Sequence, residues 1–129
     1  MTLTAPKSVL IVDDNASIRQ ALCGLFEREA DFEVCGEAEN GEDAIKRAQE
    51  LRPDLIVLDL SMPVMNGFDA ARALKQLMPA VPLIMYSAFG DKLAEKQAWL
   101  IGISEVVSKA EHAAVLIEKA RGLLNSAAA

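Results

Sequence analysis

Short runs of branched apolar residues alternate five times with longer segments in which apolar residues recur every three or four positions. The runs occupy residues 9–12, 32–38, 55–59, 83–87 and 105–108. The segments between and after them lie at about residues 15–30, 41–51, 68–78, 92–100 and 112–124. The runs are typical of β-strands, and the segments are typical of amphipathic helices. This alternation predicts a (βα)5 α/β fold: a flavodoxin-like, doubly wound, five-stranded parallel sheet with strand order 2-1-3-4-5 and helices on both faces.

Polar residues and prolines predict where several of these elements begin and end. Asn15 is a good helix cap, and Asn40-Gly41 is expected to turn the chain into the second helix, whose inner face would include Leu51. Pro53 is expected to close that helix. A chain of 129 residues suits one domain. We expect residues 1–8 to form a lead-in, residues 9–124 the domain, and residues 125–129 a flexible tail.

The composition narrows the class of protein. With 52% hydrophobic and 25% charged residues the chain is globular, and its net charge of −6 argues against a nucleic-acid surface. Cys23 and Cys35 lie in apolar segments, which predicts free, buried thiols and fits a reducing compartment. No apolar run has the length of a signal peptide or a membrane span. These features predict a soluble, cytoplasmic protein without membrane contact.

Chemically active side chains stand where the predicted strands end. Asp13 and Asp14 follow the first strand, Asp59 ends the third, Ser87 the fourth, and Lys109 follows the fifth. In the predicted strand order the first and third strands are neighbours, so the three carboxylates should converge at the edge where open α/β sheets bind ligands. Three carboxylates repel one another unless a cation lies among them. Oxygen ligands without nearby His or Cys predict Mg²⁺.

The same residues restrict what else could bind. A loop that opens with Asp13-Asp14 is a poor cradle for a flavin or nucleotide phosphate, which prefers backbone amides in a Gly-rich loop. A phosphoryl group that arrives with Mg²⁺ is compatible with the charge, and carboxylates are known nucleophiles toward phosphorus. Each residue taken singly also has an ordinary structural explanation, such as an acidic helix start or a solvated strand end. Their combination favours one site.

The chain resembles the receiver domain of two-component response regulators over residues 9–124. The motifs that carry the resemblance are Asp13-Asp14, Asp59 followed by Met62-Pro63 and Gly67, Ser87-Ala88, and Lys109. The resemblance implies that a sensor histidine kinase transfers a phosphoryl group to Asp59. It also implies that Asp14, Asp59 and the backbone carbonyl of Ser61 bind Mg²⁺ directly, with Asp13 acting through water.

The resemblance also implies a switch. Ser87 would contact the phosphoryl group and move toward it, and Lys109 would pair first with the acceptor carboxylate and then with the phosphate. Repacking of the fourth helix, fifth strand and fifth helix would then change binding to a downstream effector domain or protein, or a homodimer formed through that face.

Two positions depart from the family pattern. Val106 stands where the family usually has an aromatic residue whose rotation accompanies the switch, and Tyr86, Phe89 or Trp99 are the candidates to replace it. Ala110 stands where a proline usually follows the lysine, and a cis peptide before a non-proline residue costs about 2.5–4 kcal/mol.

Two other functions remain open from the residues alone. A Mg²⁺-dependent phosphohydrolase would also use an aspartyl nucleophile, but it often needs a second acid two residues later, where this chain has Ser61. A receiver-shaped interaction module that is never phosphorylated is the other alternative. Outside the acidic site we expect Trp99 to be a partly buried packing residue and His112 a surface residue. The cationic residues Arg19, Arg28, Lys46 and Arg47 should lie on solvated helix faces.

Overall fold

A computed structural model describes residues 5–59, 67–87, 92–108 and 113–128 of the chain. Five parallel strands form one sheet in the order β2-β1-β3-β4-β5, as predicted. The strands are β1 (Lys7–Val12), β2 (Phe32–Ala38), β3 (Leu55–Asp59), β4 (Leu83–Ser87) and β5 (Glu105–Ser108). The helices are α1 (Ala16–Glu27), α2 (Gly41–Leu51), α3 (Gly67–Leu77), α4 (Lys92–Ile101) and α5 (Ala113–Ala128).

Side chains that alternate along the strands build a separate hydrophobic core on each face of the sheet. On β3, Ile56 and Leu58 belong to the core that packs against α2, α3 and α4. Leu55 and Val57 belong to the opposite core, which packs against α1 and α5. All four side chains are fully buried, as expected of a central parallel strand covered on both faces.

The predicted helix starts are confirmed in atomic detail. The Asn15 side chain accepts a hydrogen bond from the backbone N–H of Ile18, and the Asn40 side chain accepts one from Asp43 at 2.8 Å. Each bond satisfies a backbone donor that has no partner inside its helix. At the other end of α2, Arg52 takes a left-handed conformation with φ 48°, and the buried Pro53 follows.

Several element ends differ from the sequence prediction. The first helix ends at Glu27 rather than near residue 30, because the N–H of Glu29 bonds back to the carbonyl of Phe26 and the chain turns into β2. The first strand begins at Lys7, inside the predicted lead-in, and its Lys7 pairs with Phe32. The last helix continues to Ala128 instead of ending at residue 124. Three of the residues in that extension are Ser and Ala, and alanine is the best helix former.

Two exposure predictions were wrong, and a third holds only in part. Leu51 packs against Gly36 of β2, as predicted for the inner face of α2, but it is still 36% exposed at the end of that helix. Trp99, predicted to be partly buried, is 51% exposed, and its neighbour Leu100 is 80% exposed. Cys23 and Cys35 are free as predicted but only half-buried. Among the described residues, no helix combines the length and the apolar character needed to cross a bilayer.

Candidate functional site

Strand register brings the predicted acidic residues to one edge of the sheet. Val12 at the end of β1 pairs with Leu58 on the neighbouring β3. One residue further along, Asp13 and Asp59 therefore stand side by side at the carboxyl ends of two adjacent strands. Asp14 follows in the link to α1.

The three carboxylates form one cluster. One carboxylate oxygen each from Asp13, Asp14 and Asp59 lie within 4.8 Å of one another. Asp13 and Asp59 are buried, at 1% and 5% exposure, whereas Asp14 is exposed. The predicted convergence of these residues is confirmed, and the cluster opens to solvent on the side of Asp14.

Backbone hydrogen bonds hold Asp13 in its position. Its N–H donates to the carbonyl of Ala38 at the end of β2, at 3.1 Å. Its carboxylate oxygen Oδ1 accepts from the N–H of Asn15 at 2.9 Å. Asp13, which directly follows β1, is thus tied to β2 and to the N-cap of α1, so the orientation of its carboxylate is fixed by the fold.

The sequence prediction missed Arg19. Its side chain is only 18% exposed, because it lies along the ends of β1 and β2. Nη1 donates to the backbone carbonyl of Asp13 at 2.8 Å, and Nε donates to Oε1 of Glu37 at 3.3 Å. The expectation of an ordinary solvated cation was wrong for this residue, since helical periodicity reports the face of a residue and not the reach of a long side chain.

Of the other predicted site residues, only Ser87 lies within the described part of the chain. Ser87 is the last residue of β4, one position beyond Tyr86, which pairs with Asp59. Its backbone therefore lies one step further toward the carboxyl edge than the acceptor candidate. Ser61, Lys109 and the Lys109–Ala110 peptide lie outside the described residues, although Lys109 directly follows Ser108, the residue of β5 that pairs with Ser87.

Residue 106, the position at which the family usually has the switch aromatic, lies within the described part of the chain. Val106 is partly buried and packs against the core that faces α2, α3 and α4. Tyr86 is partly buried against the opposite core, and Trp99 is half-exposed. Tyr86 is therefore not an equivalent of an aromatic residue at position 106, because the two side chains pack on different faces of the sheet. Phe89 lies outside the described residues.

The donor set of the cluster fits a hard divalent cation. All three donors are carboxylate oxygens, and Mg²⁺ prefers oxygen ligands and keeps several waters. Oxygens that share an octahedral Mg²⁺ lie roughly 3–4 Å apart, given bonds of about 2.1 Å. A separation within 4.8 Å is compatible with two direct ligands and a third acting through water.

Comparison with known proteins gives a consistent result. The family model described as "Response regulator receiver domain" matches residues 9–121. The chain is 38% identical over 103 residues to the chemotaxis protein CheY of Thermotoga maritima, covering 80% of this chain and 85% of CheY. It is 46% identical over 96 residues to a protein-glutamate methylesterase/protein-glutamine glutaminase of Pyrococcus abyssi, covering 74% of this chain.

The structural comparison extends over nearly the whole chain. The crystal structure of the response regulator domain of Thermotoga maritima CheB superposes with a TM-score of 0.88 at 30% identity, covering 93% of this chain and 97% of that domain. The chain spans only 26% of the length of the Pyrococcus abyssi methylesterase. What is shared with that relative is therefore its receiver portion.

Proposed function

Since the chain belongs to the response regulator receiver family and is a phosphoacceptor module of two-component signalling, we propose that Asp59 is the residue that accepts the phosphoryl group. One observation carries the assignment. Asp59 ends the central strand β3, is 5% exposed, and has a carboxylate oxygen within 4.8 Å of those of Asp13 and Asp14. A carboxylate held in this way is pre-positioned as a nucleophile.

The transfer step follows from this placement. One oxygen of Asp59 forms a bond to phosphorus while the bond between that phosphorus and the histidine nitrogen of the sensor kinase breaks. The kinase histidine retains the electron pair of that bond. Catalysis of this kind is mostly positioning and charge neutralisation, which a buried and fixed carboxylate supports.

The acidic cluster is proposed to hold Mg²⁺. Asp14, Asp59 and the backbone carbonyl of Ser61 would be direct ligands, and Asp13 would act through a water molecule. Bound Mg²⁺ would neutralise charge on the phosphoryl oxygens. The buried Asp13, fixed by Asn15 and Ala38, would keep that water in a constant orientation.

Two further residues are assigned by their positions on the sheet. Ser87 ends β4 one step beyond the residue paired with Asp59, and its hydroxyl is proposed to contact the phosphoryl group. Lys109 directly follows in sequence Ser108, the residue of β5 that pairs with Ser87, and its ammonium is proposed to pair with the Asp59 carboxylate and then with the phosphate. These two groups would transmit the change of charge at Asp59 to β4 and β5.

The output surface is proposed to be the face of α4, β5 and α5. Trp99 is 51% exposed and Leu100 is 80% exposed, both on α4. Aromatic residues are enriched where proteins bind each other, so these side chains support docking of a downstream effector domain or protein, or of a second copy. Among the described side chains of α4 only Ala98 is buried, which supports a helix that can shift.

The chain is a signalling module. We propose further that it assists its own phosphorylation and dephosphorylation and is not a turnover enzyme. Ser61 occupies the position where an aspartyl phosphohydrolase would often need a second acid, which supports this assignment. The cytoplasmic location expected from the sequence stays a prediction.

The proposed acceptor is tested by intact-mass analysis after incubation with acetyl phosphate and Mg²⁺. Wild-type protein should gain one phosphoryl group, and Asp59→Asn should gain none. Chelation of Mg²⁺ should suppress the gain in the wild type.

Asp31→Asn is the matched control, because it removes the same charge at the opposite end of the sheet. It should be phosphorylated like the wild type. An unchanged gain of mass in Asp59→Asn would overturn the assignment of the acceptor, and a gain that persists without divalent cations would overturn the role of the metal.

A further inference from the structure

Arg19 joins three elements at the edge of the acidic cluster. It lies on α1, its Nη1 donates to the carbonyl of Asp13 after β1, and its Nε donates to Glu37 on β2. At 2.8 Å the first contact is a short hydrogen bond from a charged donor, and the side chain is largely shielded from water. A single planar guanidinium therefore fixes the backbone of a site residue relative to a neighbouring strand.

The contact with Asp13 completes a set of backbone anchors. The N–H of Asp13 already bonds to Ala38, and its carboxylate accepts from the N–H of Asn15. Without Arg19 the Asp13 carbonyl would lose its charged donor, and the peptide between Asp13 and Asp14 would be held less firmly. A change in the orientation of that peptide would move the carboxylates of Asp13 and Asp14 relative to Asp59.

We propose that Arg19 is a positioning residue for the Mg²⁺ site: it holds the Asp13–Asp14 peptide so that both carboxylates converge on Asp59. The inference rests on the proposed function, and it assigns a role to a residue outside the acidic cluster. Arg19 acts through Asp13 and does not touch the metal. Residues that orient metal ligands are commonly worth about 10–100-fold in metal affinity.

The sign of the effect separates positioning from simple electrostatics. A cation near the site repels Mg²⁺, so an arginine that contributed only charge would weaken binding, and its removal would tighten it. An arginine that positions the ligands does the opposite, and its removal weakens binding. The two explanations therefore predict opposite changes in the same dissociation constant.

Arg47 provides a matched control for the charge. It lines the same surface cavity of about 310 Å³ as Arg19 and Glu37, but from α2. Arg47→Ala removes one positive charge from the same neighbourhood. It should leave Mg²⁺ affinity equal to or slightly higher than that of the wild type.

The experiment is isothermal titration of wild type, Arg19→Ala, Arg19→Lys and Arg47→Ala with MgCl₂. Urea unfolding without Mg²⁺ identifies conditions in which each variant is folded. We expect Arg19→Ala to bind about tenfold more weakly than Arg47→Ala. Arg19→Lys keeps the charge, but one ammonium replaces two donors in a fixed geometry, so it should not restore wild-type affinity.

The outcomes separate the inference from the proposed function. Binding by Arg19→Ala as tight as or tighter than that of Arg47→Ala would overturn the inference. If Arg19→Ala does not fold, Arg19→Lys decides: weakened binding supports positioning, and wild-type binding overturns it. Absence of Mg²⁺ binding in the wild type, or undiminished binding in Asp59→Asn, would instead overturn the proposed metal site.

Discussion

Carboxylates form a cluster at each end of this sheet, and the two clusters are organised differently. At the amino end, Glu29 and Asp31 are bridged by one guanidinium: Arg121 contacts Glu29 at 3.0 Å and Asp31 at 2.7 Å. At the carboxyl end, the oxygens of three carboxylates approach one another within 4.8 Å. The amino-end acids are partly exposed, whereas two of the three carboxyl-end acids are buried.

This comparison distinguishes a cluster of acids that stabilises the fold from one that is suited to bind a ligand. At the amino end the neutralising cation belongs to the fold, and Arg121 also lies 5.8 Å from the centre of the Phe32 ring. Its hydrogen bond to Asp31 lowers the pKa of that carboxyl group. At the carboxyl end the described residues bring three carboxylate oxygens within 4.8 Å of one another, which is the arrangement expected where an exchangeable cation and a phosphoryl group are to be bound.

The largest expected effect is a loss of stability caused by a substitution at the amino end of the sheet that leaves Mg²⁺ binding at the carboxyl end unchanged. Phe32 is 5% exposed and packs edge-to-face on Phe26, with ring centroids 5.1 Å apart. Phe32→Ala should lower the free energy of unfolding by about 3–5 kcal/mol, because it leaves a cavity and removes the ring beneath Arg121. Urea denaturation measures the loss, and Phe32→Leu should cost less. Under conditions in which the variant is folded, its Mg²⁺ affinity should match the wild type; a large loss of affinity would mean that the two ends are not independent.

The effect of intermediate size is that removal of one carboxylate charge should change the free energy of unfolding in opposite directions at the two ends of the sheet. Without Mg²⁺, Asp59→Asn should raise the free energy of unfolding by about 1 kcal/mol, because relief of the repulsion from the carboxylates of Asp13 and Asp14 outweighs the loss of the proposed pairing with Lys109. Asp31→Asn should lower it, because Arg121 loses a charged partner. Chemical denaturation in EDTA compares the two variants.

Saturating Mg²⁺ should make the wild type more stable than Asp59→Asn, since the metal binds and stabilises only the folded wild type. Equal shifts in both variants, with or without Mg²⁺, would show that the two clusters are of the same kind.

The smallest effect is a pH dependence at the amino end. The pKa of Asp31 is lowered from its ordinary value of 3.8, chiefly by its hydrogen bond with Arg121. Its stabilisation should be fully present above the unfolded-state value and be lost as pH falls through the lowered folded-state value. The difference in urea midpoint between wild type and Asp31→Asn should therefore shrink toward zero in strong acid. Since Asp31 is half-exposed, the difference should be small and should shrink further in high salt. A difference that grew as pH fell would contradict the role given to Arg121.

Much of the fold and the acidic site could be predicted from the sequence, because both depend on short-range pattern. Apolar runs that end in Asp13 and Asp59 fix the strands and their polarity, and the strand order then makes the two residues neighbours. Asn15 was identified as a cap because capping is a local hydrogen bond between a side chain and the next turn, and Asn40-Gly41 was identified as the start of the second helix.

What could not be predicted depends on contacts between distant segments. The cation Arg19 reaches across two strand ends, and Arg121 contacts Asp31 from 90 positions away. Ser8 lies in β1 although its segment is polar, and its N–H and hydroxyl both bond to Asp54. Hydrophobic periodicity carries no information about such partners, so the start of β1 and the roles of these cations were missed.

The most direct test of the central claim is to trap and locate the phosphorylated side chain. Borohydride reduces an aspartyl phosphate to homoserine, which peptide sequencing by mass spectrometry places at a single position. After incubation with acetyl phosphate and Mg²⁺, homoserine should appear at position 59, should be absent at positions 13, 14 and 31, and should disappear when Mg²⁺ is chelated. Homoserine at any other aspartate with none at position 59 would contradict the account.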